Sequence, residues 1–225
     1  MKWTAPPGKR RGVADWLDLI FKDHGFLRLY WHNQHLVSDD LWRSNQPGPS
    51  RIAALGQNGI KTIINLRGPR QDGGWQLEAE ACAKAGITLL DFTARSRAAP
   101  SKEMLYEARD LFAAIKTPAL MHCKSGADRA GLMSALYLLI AKKQPARVAM
   151  VQLAWKYGHV KAAKTGLLDA FFAAYIPYED QGMAFSTGLK PSMIPTLWRQ
   201  ISWHRAGLSG LPTRSFAANR FMSLE

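Results

Sequence analysis

The chain has 225 residues, 47% hydrophobic and 21% charged, with a formal charge of +13. That length fits one domain with appendages, and that apolar share supports a sizeable core. Two cysteines, Cys82 and Cys123, cannot form a disulfide framework, and no CxxC or Cys/His cluster suggests a zinc site. The cysteine usage points to a reducing compartment. The positive charge favours an anionic partner, either a phosphorylated substrate or an acidic lipid surface. Nucleic acid is not expected, because the basic residues are scattered apart from "GKRR" at positions 8 to 11 and no nucleic-acid-binding signature occurs.

The first segment, "MKWTAPPGKRRGVADWLDLIFKDHG", starts basic but is interrupted by Asp15, Asp18, Lys22 and Asp23. The longest apolar run, "LMSALYLLIA", is too short to cross a bilayer. The expected location is cytoplasmic, with peripheral contact at a membrane surface as an open alternative. "TAPPGKRRG" reads as an arm, followed by Trp16, Leu19, Ile20, Leu27 and Tyr30 at roughly helical spacing.

"HLVSDDLWRSNQPGPS" predicts a strand or hairpin running into a Pro/Gly turn, and Ser50 then caps a helix that Gly59 ends. "KTIINLR" is a buried strand rich in β-branched residues. "QLEAEACAKAG" is a helix stopped by Gly86, and "ITLLDF" the next strand. "PSKEMLYEARDLFAAIK" opens with the proline, serine and glutamate of a well-capped helix. After the strand "ALMHC" comes a helix from Gly131 to Ala141, apolar on nearly all sides and therefore central. "ARVAMVQLAWKYG" and "GLLDAFFAAY" supply two more helices. Strands alternating with helices imply an α/β fold with a mostly parallel central sheet flanked by helices. Beyond Tyr178 the pattern fades into a Gly-, Pro-, Ser- and Arg-rich tail with Trp198 and Trp203. The organisation is a basic arm over 1–23, a domain over 24–178 and a basic extension over 179–225.

The chemistry concentrates in "HCKSGADRAG", between the strand and the central helix. Backbone N–H groups of a tight turn entering a helix point inward and make an anion cradle. Gly126 permits the bend, and the forked guanidinium of Arg129 can hold two phosphate oxygens at once. A thiol in such a field falls from ~8.5 to roughly 3.5–7.5 and becomes a thiolate nucleophile.

These residues resemble the HCxxGxxR signature loop of the cysteine-dependent tyrosine and dual-specificity phosphatases, with His122, Cys123, Gly126 and Arg129 each matching. "LWRSNQPGPSRIAALGQNGIKTIINLR" is similar to the upstream segment of the atypical bacterial dual-specificity group, so the likeness runs from about Leu29 to Tyr175. It implies a phosphatase-like fold and hydrolysis of phosphate monoesters, on phosphotyrosine, phosphoprotein or phospholipid, through a phosphocysteine. It also implies no metal and no cofactor. Cys123 is then the nucleophile, Arg129 the transition-state clamp and His122 a group that tunes the thiolate from behind. Lys124, Ser125, Gly126, Ala127 and Arg97 line the substrate, and Arg95 joins Arg97 in covering the pocket.

Two aspartates compete for the general acid. Asp128, immediately before the arginine, reproduces an arrangement of myotubularin-like and some bacterial tyrosine/lipid phosphatases. Asp91 has the spacing of the usual acid loop but falls in an expected strand. The sequence departs from the family at Ala130, where a serine or threonine usually helps the cysteine leave the phosphoenzyme. Cys82 is either an inert buried thiol or, by the same resemblance, a reversible disulfide partner of Cys123. Arg43 and Arg67 are open between substrate contact and structural ion pairs. The competing functions are a catalytically weak phosphate- or acidic-lipid-binding module and a rhodanese-like sulfurtransferase, the latter commonly with its arginine one residue closer to the cysteine. The oligomeric state is not legible.

Overall fold

The computed structural model describes residues 2–5, 12–17, 31–70 and 72–185. Part of the expected arm, the positions Leu19, Ile20, Leu27 and Tyr30 and the tail with Trp198 and Trp203 lie outside the described residues, while within the arm Thr4 bridges Leu90 and Val13–Leu17 is a short helix. Five strands form one sheet: β1 (His35–Ser38), β2 (Leu41–Asn45), β3 (Thr62–Asn65), β4 (Thr88–Asp91) and β5 (Ala119–Cys123). Their order is β1-β2-β5-β3-β4. Only β1 and β2 pair antiparallel, as the expected hairpin, and the other neighbours are parallel.

The helices are α1 (Val13–Leu17), α2 (Pro49–Gln57), α3 (Gly73–Lys84), α4 (Lys102–Ala114), α5 (Asp128–Ile140), α6 (Ala146–Ala149) and α7 (Leu167–Glu179). Successive strand residues face opposite sides of a sheet. Ile64 and Met121 therefore pack with α4, α5 and α7, while Ile63 and Leu120 pack with α2 and α3. The α/β sandwich of the sequence reading is the architecture observed. Every residue of α5 from Ala130 to Ile140 is buried, which is why that helix carries no polar face.

Three local expectations change. Helix α2 begins at Pro49 after Gly48, with no side-chain cap, so Ser50 lies inside it; a proline suits the first turn because its missing N–H has no partner to lose there. Helix α5 starts at Asp128 rather than Gly131, because the Gly131 N–H already donates to the Ala127 carbonyl at 2.8 Å. The expected helix through "ARVAMVQLAWKYG" breaks after Ala149 into 3-10 turns at Met150–Leu153 and Trp155–Tyr157. The Gln152 carbonyl in that break accepts from the Arg43 guanidinium at 2.6 Å, and Gly158 closes the last turn at φ +81°.

Candidate active site

Parallel pairing puts Cys123, the last residue of β5, level with Asn45 of β2. Cys123 shares the parity of Met121 and so faces the α5 side, where it is 2% exposed. The loop that follows is held from outside by its carbonyls. Asn33 Nδ2 donates to the Ser125 carbonyl at 2.9 Å, and Arg43 Nη2 donates to those of Gly126 and Ala127 at 2.7 and 2.9 Å. In a planar trans peptide the C=O and the following N–H point in opposite directions. With three successive carbonyls turned outward, the amides of Gly126, Ala127 and Asp128 are directed the other way, and the Ala127 N–H meets the Ser125 hydroxyl at 3.4 Å. The Gly126 N–H donates to Cys123 Sγ at 3.2 Å. Gly126 sits at φ +79°, and a Cβ there would lie 2.7 Å from Asn45 N. Only glycine fits this corner.

Arg43 is the main support behind the loop, a role that the sequence reading did not weigh. It is fully buried, and its Nη1 also donates to the Gln152 side chain at 2.9 Å. Tyr157 lies under the guanidinium, 4.1 Å from its carbon to the ring centre. Burial pushes Arg43 down to about 10, opposed by the charges of Tyr157, Cys123 and Asp128. Gly131 lets the Gln152 carbonyl approach α5, since a Cβ there would come within 2.8 Å of it. The available signal was parity: Arg43 is two residues after the core residue Leu41 and so points to the α5 side. Arg67 instead donates to the Gln46 side chain.

His122 takes the opposite parity, facing α3. Its Nε2 lies 2.5 Å from Glu78 Oε1, with both side chains fully buried, and neither ring nitrogen hydrogen-bonds to the thiol. The close contact does not have the geometry of a hydrogen bond. Gln46 Nε2 donates to the other Glu78 oxygen at 2.8 Å. Cys82 packs on this same α3 side, in a different core cluster from Cys123. Burial, and then the Glu78 charge, push its thiol well above the ordinary range.

The two candidate acids sit differently. Asp91 ends β4, 8% exposed, and its carboxylate accepts from Asn65 Nδ2 at 2.7 Å and from the Trp75 indole at 3.0 and 3.1 Å. Burial raises Asp91 above the usual carboxylate range, while those two donors pull it down. Asp128 opens α5, beside Arg129, with its side chain 29% exposed. Its Oδ1 is 2.7 Å from His159 Nδ1, and His159 Nε2 is 2.7 Å from Asp169 Oδ2. Burial draws His159 down, but its bonds to Asp128 and Asp169 outweigh that and push it up to about 9. The sequence reading did not single out His159 or Asp169.

In front of the loop, Ala94, Arg95, Ser96, Arg97 and Ala98 join Arg129 around an open pocket of about 410 Å³. Three guanidinium groups and no carboxylate line it. Neither candidate acid, Asp91 or Asp128, is among the lining residues, and neither is Cys123. Lys124 and Ser125 lie on the loop itself, half-buried and exposed respectively. Among the described residues no group of three His, Cys, Asp or Glu side chains is arranged to hold a metal.

Residues 31–167 match the family model described as PTP-NADK, a DSP-PTPase phosphatase fused to NAD+ kinase. The chain belongs to this family. The match covers the sheet, the loop, the break and His159 after it. Among curated proteins, the chain is similar to the dual specificity protein phosphatase TpbA of Pseudomonas aeruginosa PAO1, with 27% identity over 122 residues, 54% of this chain and 53% of the relative. The chain thus spans about half the length of the curated relatives it matches. Among solved structures, P. aeruginosa TpbA aligns with a TM-score of 0.50 at 22% identity, covering 76% of this chain and 91% of that one. The core catalytic domain of the PP-IP phosphatase SIW14 from S. cerevisiae aligns with a TM-score of 0.50 at 18% identity, covering 62% and 85%. These structural likenesses show that the chain shares its fold with these solved phosphatases.

Proposed function

We propose that the chain hydrolyses phosphate monoesters through a phosphocysteine, within a catalytic domain spanning about residues 24–178. The observation that carries this reading is the set of three outward carbonyls together with the Gly126 N–H donating to the Cys123 sulfur, which leaves the Ala127 and Asp128 amides on the side of the loop away from Arg43. Donors fixed in advance around a developing oxyanion are a large catalytic term.

Cys123 Sγ attacks phosphorus in line, the S–P bond forms as the bond to the leaving oxygen breaks, and Arg129 with the loop amides takes up the charge on the remaining oxygens. Asp128 is the preferred acid for the leaving oxygen, because it borders the loop and is partly open to solvent, whereas Asp91 is buried against Trp75 and Asn65. Water then attacks phosphorus and frees the sulfur. Ala130 offers no hydroxyl to that second step, so hydrolysis of the phosphoenzyme limits turnover, visible as a pre-steady-state burst.

The pocket with Arg95, Arg97 and Arg129 favours substrates with negative charge beyond one phosphate, first a phosphotyrosine peptide with acidic neighbouring residues. A phospholipid is the second reading. It rests on Trp155, Val151 and Val148, exposed beside Lys156 and Arg147, a face suited to peripheral contact with an acidic cytoplasmic membrane surface. No helix among the described residues is long and apolar enough to cross a membrane. Purified chain should release phosphate from p-nitrophenyl phosphate and from a phosphotyrosine peptide, with Cys123→Ser reduced to background. Equal rates in the two proteins would reject the reading. Sedimentation with acidic vesicles separates the lipid reading, which fails if no protein pellets.

A further inference from the structure

The Asp128–His159–Asp169 chain is left unexplained by phosphate binding. Both ring nitrogens of His159 face a carboxylate oxygen at 2.7 Å, and the imidazole is fully buried. A neutral imidazole has only one N–H, so with two ionised carboxylates one nitrogen would direct its lone pair at a negative oxygen. The arrangement is satisfied when the ring carries both protons, or when it is neutral and one carboxyl holds the second proton. These two states differ by a single proton moving along the line from Nδ1 to Oδ1. One end of the chain is open: Asp128 has 29% of its side chain exposed, against 9% for Asp169.

We propose that His159, anchored by Asp169, is the proton store that makes Asp128 a general acid. The inference rests on the phosphatase reading and extends it. As the P–O bond breaks, one proton passes from Asp128 to the leaving oxygen and one from His159 Nδ1 to Asp128. Asp128 thus ends ionised and His159 neutral. In the second step the attacking water returns its proton through Asp128 to His159 while the S–P bond breaks, and the cycle closes with no external acid. The pair acts through Asp128 and does not touch substrate.

The energetics fit an aryl leaving group. A tyrosine phenol has a pKa of ~10, and an imidazolium pushed up to about 9 is a close match. Proton transfer between matched groups is where general acids are most effective. The charged groups facing the ring are Asp128 from α5 and Asp169 from α7, with the Arg43 guanidinium behind the loop near Asp128.

The test compares phenyl phosphate, whose leaving oxygen needs a proton, with p-nitrophenyl phosphate, whose leaving oxygen hardly does. His159→Gln and Asp169→Asn should lower kcat/KM for phenyl phosphate by about 10²- to 10³-fold, and for p-nitrophenyl phosphate by less than about 10-fold. Equal losses on both substrates, or no loss on either, overturn the relay while leaving the nucleophile intact. Cys123→Ser, run alongside, should be inactive on both; a fully active Cys123→Ser protein overturns the phosphatase reading and the relay together. Because the buried variants can fail to fold, the unaltered protein supplies a second measurement. Its kcat/KM for phenyl phosphate should fall above about pH 9 as His159 loses its proton, with no matching fall for p-nitrophenyl phosphate. The same descending limb with both substrates overturns the proposal.

Discussion

Behind the signature loop, Arg43 and Asn33 are buried and aim their donors at three consecutive carbonyls. In front of it, Arg95 and Arg97 are exposed on the stretch that follows β4 and reach into an open pocket. The same residue type therefore does opposite work on the two sides. A buried guanidinium with no carboxylate bonded to it is costly to desolvate, and its carbonyl partners and the Tyr157 face repay that only if the geometry holds. It fixes backbone. An exposed guanidinium fixes little and adds field, so it acts on which anion arrives rather than on the shape that receives it.

Substitutions can break this contrast or sharpen it. Gly126→Ala should have the largest effect, because the left-handed backbone alone costs about 1–3 kcal/mol and the new Cβ presses on Asn45. Activity should drop by about 10²-fold or more, since small misplacements at a reacting centre have that consequence. Steady-state kinetics and thermal melting check it, and a wild-type-like protein would mean the loop is not held this tightly.

Arg43→Met comes next. It removes a donor from the Gly126, Ala127 and Gln152 carbonyls at once; Ala127 keeps the Gly131 N–H, but a buried acceptor left unpaired costs about 1–3 kcal/mol. Urea unfolding should show a clear loss of stability, with kcat falling too. A loss confined to KM would instead give Arg43 a substrate role.

The pH dependence of stability sharpens the contrast from a third direction. His159 is raised from 6.5 to about 9 by its two carboxylates. Its contribution is therefore complete below about 6.5 and is lost as pH rises through about 9. Melting temperature should decline across that interval, and the decline should flatten in His159→Gln; an identical slope in both would remove the ion pairs from the stability account. The smallest effect belongs to Arg97→Ala. An exposed charge contributes about 0.2–1 kcal/mol, so KM for a phosphotyrosine peptide should rise several-fold at low salt, converge at high salt and leave kcat unchanged.

The strand, loop and helix around Cys123 were legible in the sequence because their signals are local. "ALMHC" is short and apolar, the glycine and arginine follow within six residues, and α5 has no polar stripe. The α/β class followed from the alternation of such segments. The supports were not legible, because they are set by which strand inserts beside which. Arg43 reaches Gly126 across 83 residues only because β2 pairs with β5 in the middle of the sheet. His159 lies just past "ARVAMVQLAWKYG", a segment expected to be regular helix, so nothing in the local pattern brings it to Asp128. That segment is broken into 3-10 turns, and the Gln152 carbonyl within it accepts from Arg43. The resemblance implies that His122 tunes the thiolate from behind the loop, and strand parity sends the two side chains to opposite faces, with neither ring nitrogen bonded to the thiol.

That same parity governs how the protein meets oxidants. The chain holds two sulfhydryls, and they pack in separate clusters on either side of the sheet, Cys82 with α3 and Cys123 with α5. A disulfide needs Cα atoms within about 7 Å, which a full layer of backbone between them opposes. Peroxide should therefore leave a sulfenic acid or an adduct with a small exogenous thiol at Cys123, readable by mass spectrometry; a bridge from Cys82 to Cys123 would contradict this. Recovery from oxidative damage then depends on the reductant supplied by the surroundings, not on a resolving residue within the fold.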